Sequence, residues 1–505
     1  MQKISSQFLY DMFAANQVIK DYEILEDVVL SSTTNAVITD CKFQSMEIID
    51  IVSSIHIENC TGINIKVINQ GTREINFVNC NIKNIEIEDN SGHMADTGNG
   101  PAEVTIEGEQ TIVEKITFLG DYRLITINNT NQITQIDFFF TKVGNIKIDS
   151  VKNTLLKFTN VIVPMSVNIL SNEKTHLEFF ETNINNIGIL TPKHISLDFY
   201  SAKSNTITLT NGSYDFIHFR GTGEFDFQLT YPTIESKWST VNTLKLSNFV
   251  LLDKSRIKLL DISFQDVSIS DFENNGTFGI NNCVINSNLK IDQSNLGKAT
   301  FSNVITLNCD FSLVNSNITD TIFTNFIQKS DYKLNETEQF ALPALRESYR
   351  QLKANFLKNG NKIVSLEFQK HELRMHYKIL SIRKFAGLRD FGDFLIVATN
   401  KWSSDFGQNI WRPLLFLFLL HLVLFNLLLF FTPELGVRIG TSLDPELISK
   451  GTRLFFQTIL PIHGVDIRYG DAPPISIAGF WDFVIRISSG YFIYYFISAS
   501  RKYHQ

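Results

Sequence analysis

Between residues 116 and 229 apolar and polar side chains alternate in short runs, and the runs return at a nearly constant interval. Ile116/Phe118, Ile136/Phe138, Leu156/Phe158, Leu177/Phe179, Leu197/Phe199 and Ile217/Phe219 form one series, whose phenylalanines step by 20, 20, 21, 20 and 20 residues. A second series, about ten residues out of phase, runs through Ile127, Ile148, Ile169, Ile189, Leu209 and Leu229. Upstream, Ile55/Ile57 and Ile75/Phe77 are again 20 apart. The 41 residues between Phe77 and Phe118 leave room for two steps, or for one step with a loop at "NSGHMADTGNGPAE" (90–103). Alternate residues of a strand point to one side. Independent hairpins have no reason to keep a constant step, whereas stacked coils of a solenoid do. The pattern therefore predicts a β-solenoid over residues 31–330 with about 20 residues per coil, its core a column of Phe, Ile and Leu spaced ~4.8 Å apart.

The turns fit the same scheme. Asn59, Asn79, Asn160, Asn248, Asn282, Asn303 and Asn325 each lie two places after an inward position. Asparagine tolerates the left-handed backbone of a tight corner, and stacked amides can hydrogen-bond along the column. Cys41, Cys60 and Cys80 recur at steps of 19 and 20 and read as small apolar ladder residues. With Cys283 and Cys309 they make five cysteines without a CxxC pair, which suits free thiols in a reducing compartment and gives no metal site. Residues 1–30 lack the apolar core of a secretory signal. Phe8, Met12, Phe13 and Val18 instead suggest a short amphipathic helix capping the solenoid.

Near residue 338 the period changes. Leu345, Tyr349, Leu352 and Phe356 stand at helical spacing, "NGN" (359–361) signals a turn, and Ile363, Leu366, Leu373, Tyr377 and Leu380 follow on a second helix. Residues 338–400 are thus expected to form a helical hairpin, a neck before a membrane region over 408–505. "LLFLFLLHLVLFNLLLFF" (414–431) has 18 residues, about 27 Å of helix, which suits a hydrocarbon core of roughly 30 Å. A second span is expected at 475–498, and residues 451–464 suggest a re-entrant segment between the two. Trp411, Trp481, Tyr494, Tyr495 and Tyr503 suit interfacial belts. Arg383, Lys384, Arg389, Lys401 and Arg412 precede the first span, and Arg501 and Lys502 follow the second. Residues 433–474 carry four basic residues against five acids. The bias favours both termini on the cytoplasmic side.

"SNLGKATFSN" (294–303) and "SNITDTIFTN" (316–325) each hold two units close to the pentapeptide-repeat pattern. Coils, a "YRQLK" helical hairpin, a "WSSDFGQNIWRP" lead-in, a hydrophobic span and a terminal "GYFIYYFISASRKY" resemble, over about residues 280–505, bacterial membrane-anchored pentapeptide-repeat-like proteins. That resemblance implies a right-handed, square-sided β-helix held at the bacterial inner membrane. It implies no reaction.

A net charge of −7 without a long basic run gives no reason to expect nucleic acid as a partner. The polar residues inside the apolar segments are the candidate functional positions, because such groups are costly in lipid. They are His421 and Asn426 in the first span, and Asp482 and Arg486, four apart on one face of the second. His463 lies at the mouth of the re-entrant segment. Enzyme signals are weak. His371 and His376 in "HELRMH" are five apart, about 140° around a helix, which fails the metalloprotease spacing. "GTGEFD" (221–226) lacks a strand–glycine–helix setting, and Asp198, Asp226 and Asp261 are the acids an exposed face could offer. The expected function is a cytosolic-facing scaffold or binding surface anchored in the bilayer, with an unidentified protein partner and no cofactor. The alternative is a homo-oligomeric ion channel, or membrane-permeabilising effector, with the solenoid as sensor.

Overall fold

The computed structural model describes residues 2–500 apart from 5–11, 13–17, 25–26, 32–34, 50–53, 70–73, 90–101, 129, 131, 150–152, 171–172, 191–192, 210–211, 230–238, 307, 329–333, 335–341, 383–387, 408, 432–444 and 462–476. The chain divides into two units, Met1–Asn335 and Glu336–Gln505.

The first unit is a β-solenoid from residue 19 to 324 with about 21 residues per turn. Its strands pair in parallel, each with its counterpart one coil away. Two inward ladders result. One runs Leu30, Ile48, Val67, Ile87, Phe118, Phe138, Phe158, Phe179, Phe199, Phe219, Leu246, Ile269, Ile291 and Leu313. The other runs from Ile19 through Ile57, Phe77, Ile106 and Ile127, then on through Leu209 and Leu259 to Phe323. The two series read from the sequence are the middles of these ladders. Phe77, however, stands on Ile106 in the second ladder, and Phe118 stands on Ile87. The 31 residues from Ile87 to Phe118 are one lengthened coil, which carries the 90–101 segment. A second lengthened coil separates Leu229 from Leu259 and carries residues 230–238.

From Phe118 to Phe219 the rings stack face to face. Successive centroids are 5.0, 4.7, 4.9, 4.9 and 5.1 Å apart, and no pair of planes departs by more than 12°. Each ring is buried, worth roughly 1.5–3 kcal/mol in removal from water. The parallel register imposes this geometry, since each ring's neighbour is another phenylalanine one strand spacing away. Where Leu246 follows Phe219 the stack ends, and Phe249 and Phe272 form a new stacked pair at 5.7 Å.

The corners are made as the asparagines suggest. Asn59, Asn79, Asn160, Asn248, Asn282, Asn303 and Asn325 all have φ between 47° and 53°. One coil on from Asn79 the same corner is taken by Gly108, with φ 113°. Asn325 donates from Nδ2 to Asn303 Oδ1 at 2.9 Å, so amides do bond along the column. On the outer face, rung-to-rung pairs such as Lys66–Glu86 (2.9 Å) and Lys115–Asp137 (2.9 Å) replace the core contacts. Exposed pairs of this kind add little stability.

The solenoid starts earlier than residue 31. Gln2–Ile4 pairs with Tyr22–Ile24, and Ile19–Lys20 pairs with Ile38–Thr39. Ile19, Ile24, Val28 and Leu30 are buried, on three short strands rather than on a helix. Of the expected capping helix, Met12 is helical, Val18 is exposed and irregular, and Phe8 and Phe13 lie outside the described residues.

The second unit has six described helices: α1 (Leu342–Lys358), α2 (Lys362–Ile382), α3 (Leu388–Ser404), α4 (Trp411–Phe431), α5 (Pro445–Thr458) and α6 (Ile477–Ser500). The expected hairpin is α1–α2, turned at Gly360 with φ 79°. The α1 face is as expected, with Leu345, Tyr349, Leu352 and Phe356 buried. On α2 Leu380 is buried as expected, but the rest of the buried face includes Val364, Phe368, His371 and Met375, whereas Ile363 is exposed. The shift brings the His371 ring against Tyr349 at 5.1 Å and Glu372 to Lys353 Nζ at 2.6 Å. A third helix, α3, follows the hairpin. Asp405 just beyond it takes Lys370 Nζ at 2.9 Å and Arg374 Nη2 at 3.2 Å, which ties that end to α2. Burial alone would raise the Asp405 carboxyl; the two cations outweigh it and hold the group below the usual carboxylate range. Among the described residues, α4 is the one helix long and apolar enough to cross a membrane. The expected second span is helical as α6, but Asp482, Arg486 and its serines and tyrosines dilute its apolarity.

Two outcomes are expected from the ladder. Phe179→Ala should cost about 3–5 kcal/mol, because the gap opens between two stacked rings, whereas Glu178→Gln, losing exposed contacts to Lys157 and His176, should cost no more than about 1 kcal/mol. Asn160→Val should cost about 1–2 kcal/mol through its left-handed backbone, and Asn160→Gly much less. Denaturant unfolding of the four variants checks both.

Candidate functional site

The polar positions of the apolar segments take their surroundings from α4, α5 and α6. Leu424, Phe425, Leu428 and Leu429 of α4 and Ile485 of α6 form a buried cluster, against which Leu454 and Phe455 of α5 and Trp481 of α6 pack. His421 lies one turn before Phe425, buried on the same face. Its Nε2 stands 3.0 Å from the Phe455 carbonyl oxygen and 3.3 Å from Thr458 Oγ1. Donation to the carbonyl needs a proton on Nε2. The Phe455 carbonyl, in the last turn of α5, also accepts from the Ile459 N–H at 3.2 Å and from Thr458 Oγ1 at 3.1 Å. His421 thus fastens the end of α5 to the middle of α4.

Asn426 satisfies its amide locally. Its Nδ2 donates to the Leu422 carbonyl one turn back, at 2.6 Å. Asp482 and Arg486 form an ion pair within α6, Nε to Oδ2, at 2.9 Å, with both side chains largely covered. His463 lies outside the described residues. The stretch expected to be re-entrant, 451–464, overlaps α5, whose helix starts at Pro445 and ends at Thr458, and its residues 462–464 lie outside the described residues. The structure therefore brings together His421 with Thr458, and Asp482 with Arg486. The sequence shows the second pair through its spacing of four, whereas Thr458, 37 residues from His421, has no local signature.

On the solenoid a second polar arrangement spans three coils. Asp198, His218 and Lys245 follow one another in a single outward column. His218 Nε2 is 2.6 Å from Ser247 Oγ, and His218 Nδ1 is 3.7 Å from Asp198 Oδ1. The order of contacts is that of an acyl-transfer triad. The His–Asp gap nevertheless exceeds a hydrogen bond, and Arg220 takes Asp198 instead, at 2.8 Å. His218 and Ser247 are each only 7% exposed. The group acts as a polar rung that ties neighbouring coils. Burial would raise the Asp198 carboxyl, but His218 and Arg220 together hold it below its usual range. Asp261 sits at a corner, where Asn282 donates to it, so it does not converge with Asp198. The side chain of Asp226 lies outside the described residues.

The cysteines are core residues. Cys41, Cys60 and Cys80 donate their thiols to carbonyls two residues back, at 3.2, 3.2 and 3.3 Å. Burial pushes the Cys80 thiol up to about 11, and Cys283 and Cys309 up to about 12. Among the described residues, no group of three or more His, Cys, Asp or Glu side chains is placed to hold a metal ion.

The raised thiols stay protonated at pH 8, where a pKa near 11 leaves about one thiolate in a thousand. Native protein should therefore resist iodoacetamide at pH 8 at Cys80, Cys283 and Cys309, and all should react once it is unfolded. Mass spectrometry of the two samples checks this, and rapid native labelling of Cys80 would contradict its burial. For the ion pair, Asp482→Asn and Arg486→Gln should each destabilise the protein in detergent. The double variant should recover about 0.5–3 kcal/mol of their summed cost, as measured by a thermal-unfolding cycle.

No protein-family model, no curated protein and no solved structure matches the chain; of the expected resemblance, the structure shows a β-solenoid of about 21 residues per coil followed by helices, one of them a candidate membrane helix.

Proposed function

We propose that this protein is a membrane-anchored β-solenoid whose coils present a rigid binding or scaffold surface. The observation that carries this reading is the presence in one chain of the apolar helix α4 and a long solenoid with periodic outward polar rungs. The reading places the chain in a bacterial inner membrane as a multi-pass protein, with α4 and α6 as spans. The solenoid and the C-terminus face the cytoplasm, in keeping with the basic residues Arg383, Lys384, Arg389, Lys401 and Arg412 before α4 and Arg501 and Lys502 after α6. Function as a surface rather than a catalyst is favoured by the inaccessible Ser247 and by the structural roles of the buried histidines. The partner is a protein of unknown identity.

A second reading, an oligomeric conducting or permeabilising assembly, draws on His421 and the Asp482–Arg486 pair. Ionisable groups are rare in apolar segments and often mark ion pathways. Two spans from one chain cannot enclose a pore, so this reading requires several copies, with His463 near the entrance.

One measurement tests the topology that both readings share, and a second separates them. A periplasm-only reporter fused at residue 445 should be active, and the same reporter after Gln505 should be silent. Activity at both sites would leave one span and a different topology. Purified protein in planar bilayers should pass no current between pH 5 and 8 under the scaffold reading; a current altered by Arg486→Ala would replace it with the conducting one.

A further inference from the structure

The hairpin α1–α2 carries a cleft of about 270 Å³ that none of the roles above uses. Pro343, Arg346, Glu347 and Arg350 line it from α1, and His376 and Leu380 are among its α2 residues. The α1 positions are spaced by three, one and three residues, so they share one face of the helix. Arg346 and Arg350 are one turn apart, about 6 Å along the axis.

Arg350 is already engaged, its Nη2 2.8 Å from Glu347 Oε1. Arg346 is half-buried and has no ion-pair or hydrogen-bond partner among the described residues. A guanidinium cannot lose its charge at any physiological pH, so covering it without a counter-charge is unfavourable. The lining therefore has an excess of one positive charge with His376 neutral, and Arg346 is the centre of that excess. Pro343, Arg346 and Glu347 lie in the first two turns of α1 and Arg350 in the third, and the first turn holds no acidic side chain to complement the helix dipole. Both features ask for an anion.

We infer that this cleft binds a phosphate-monoester group, with Arg346 as its principal ligand and Arg350 as the second. The planar fork of arginine matches phosphate oxygens two at a time. A monoester carries about −1.5 to −2 charges at pH 7, enough to neutralise Arg346 and to draw Arg350 away from Glu347. The cleft lies below the ~300–1,000 Å³ of sites that enclose drug-sized ligands. It suits a headgroup-sized anion, whose carbon substituent meets the apolar Pro343 and Leu380 side. The phosphate can come from a soluble metabolite or from a lipid headgroup. The assignment stands apart from the anchoring proposed above, because the cleft lies wholly within the α1–α2 pair.

Full-length protein is placed in nanodiscs of phosphatidylcholine, and its thermal unfolding is followed while inorganic phosphate is added at constant ionic strength, with chloride as the control. A second set of nanodiscs contains phosphatidic acid. Phosphate is expected to raise the midpoint saturably and chloride is not. Arg346→Gln should weaken the apparent affinity about tenfold or more, and Arg350→Gln by less. Arg346→Lys, which keeps the charge but loses the fork, should fall between wild type and Arg346→Gln. Stabilisation by phosphatidic acid alone, lost in Arg346→Gln, would assign the site to lipid; stabilisation by free phosphate would assign it to a soluble ligand. Circular dichroism of each variant before heating confirms that it is folded. The assignment is overturned if neither source shifts the midpoint of the wild-type protein, or if the shift is unchanged in a folded Arg346→Gln variant.

Discussion

Parallel pairing of each strand with the equivalent strand one coil away governs the solenoid. It fixes the spacing between coils and sets like against like, so one choice of side chain is repeated down a column. A phenylalanine at such a position finds another phenylalanine above and below, as from Phe118 to Phe219. The same rule produces the asparagine corners, the buried thiols and the outward charged rungs. A residue unsuited to one coil is unsuited to its neighbours, and the pattern is mutually supporting for that reason.

Regularity of this kind is what made the first unit legible from its residues. The phenylalanine steps locate the inner face, and the asparagines locate corners whose backbone is left-handed at every one of the seven positions. Legibility failed where the period was interrupted. Phe77 has the same chemistry as Phe118, yet the lengthened coil between them puts the two in different ladders. A period carries phase only while it is unbroken, and a loop of unknown size erases it. At the amino end, four apolar residues in 8–18 suggested a helix, whereas the strands that carry Ile19, Ile24, Val28 and Leu30 are too short for an alternation to stand out.

The helical unit was harder to read, because its contacts join distant residues rather than equivalent ones. The α1 face followed from spacing alone. The α2 face did not, since Tyr349 and Lys353 draw His371 and Glu372 inward in place of Ile363. Helix α3 contains Gly392 and several β-branched residues, which weaken its local signal. Among the polar positions, the Asp482–Arg486 pair is a matter of helical pitch and was visible, whereas the tie from His421 to the end of α5 depends on how two helices pack. The arginine cleft of the hairpin belongs to the same class: Arg346 looks like any surface arginine until the second helix partly covers it.

The stepwise coil geometry has a mechanical meaning. Each coil is held to its neighbours by parallel strands and by ring stacking, and touches nothing further along the column. The chain first joins the stack through Gln2–Ile4 and last pairs with it through Ile327–Gln328, so tension on the two ends would act first on the terminal coils. Release of one coil frees about 20 residues, or roughly 70 Å of extended chain, while the coils behind it keep their own contacts. A solenoid of this design yields under load as a spool does, paying out nearly equal lengths, with longer ones where the two enlarged coils come free.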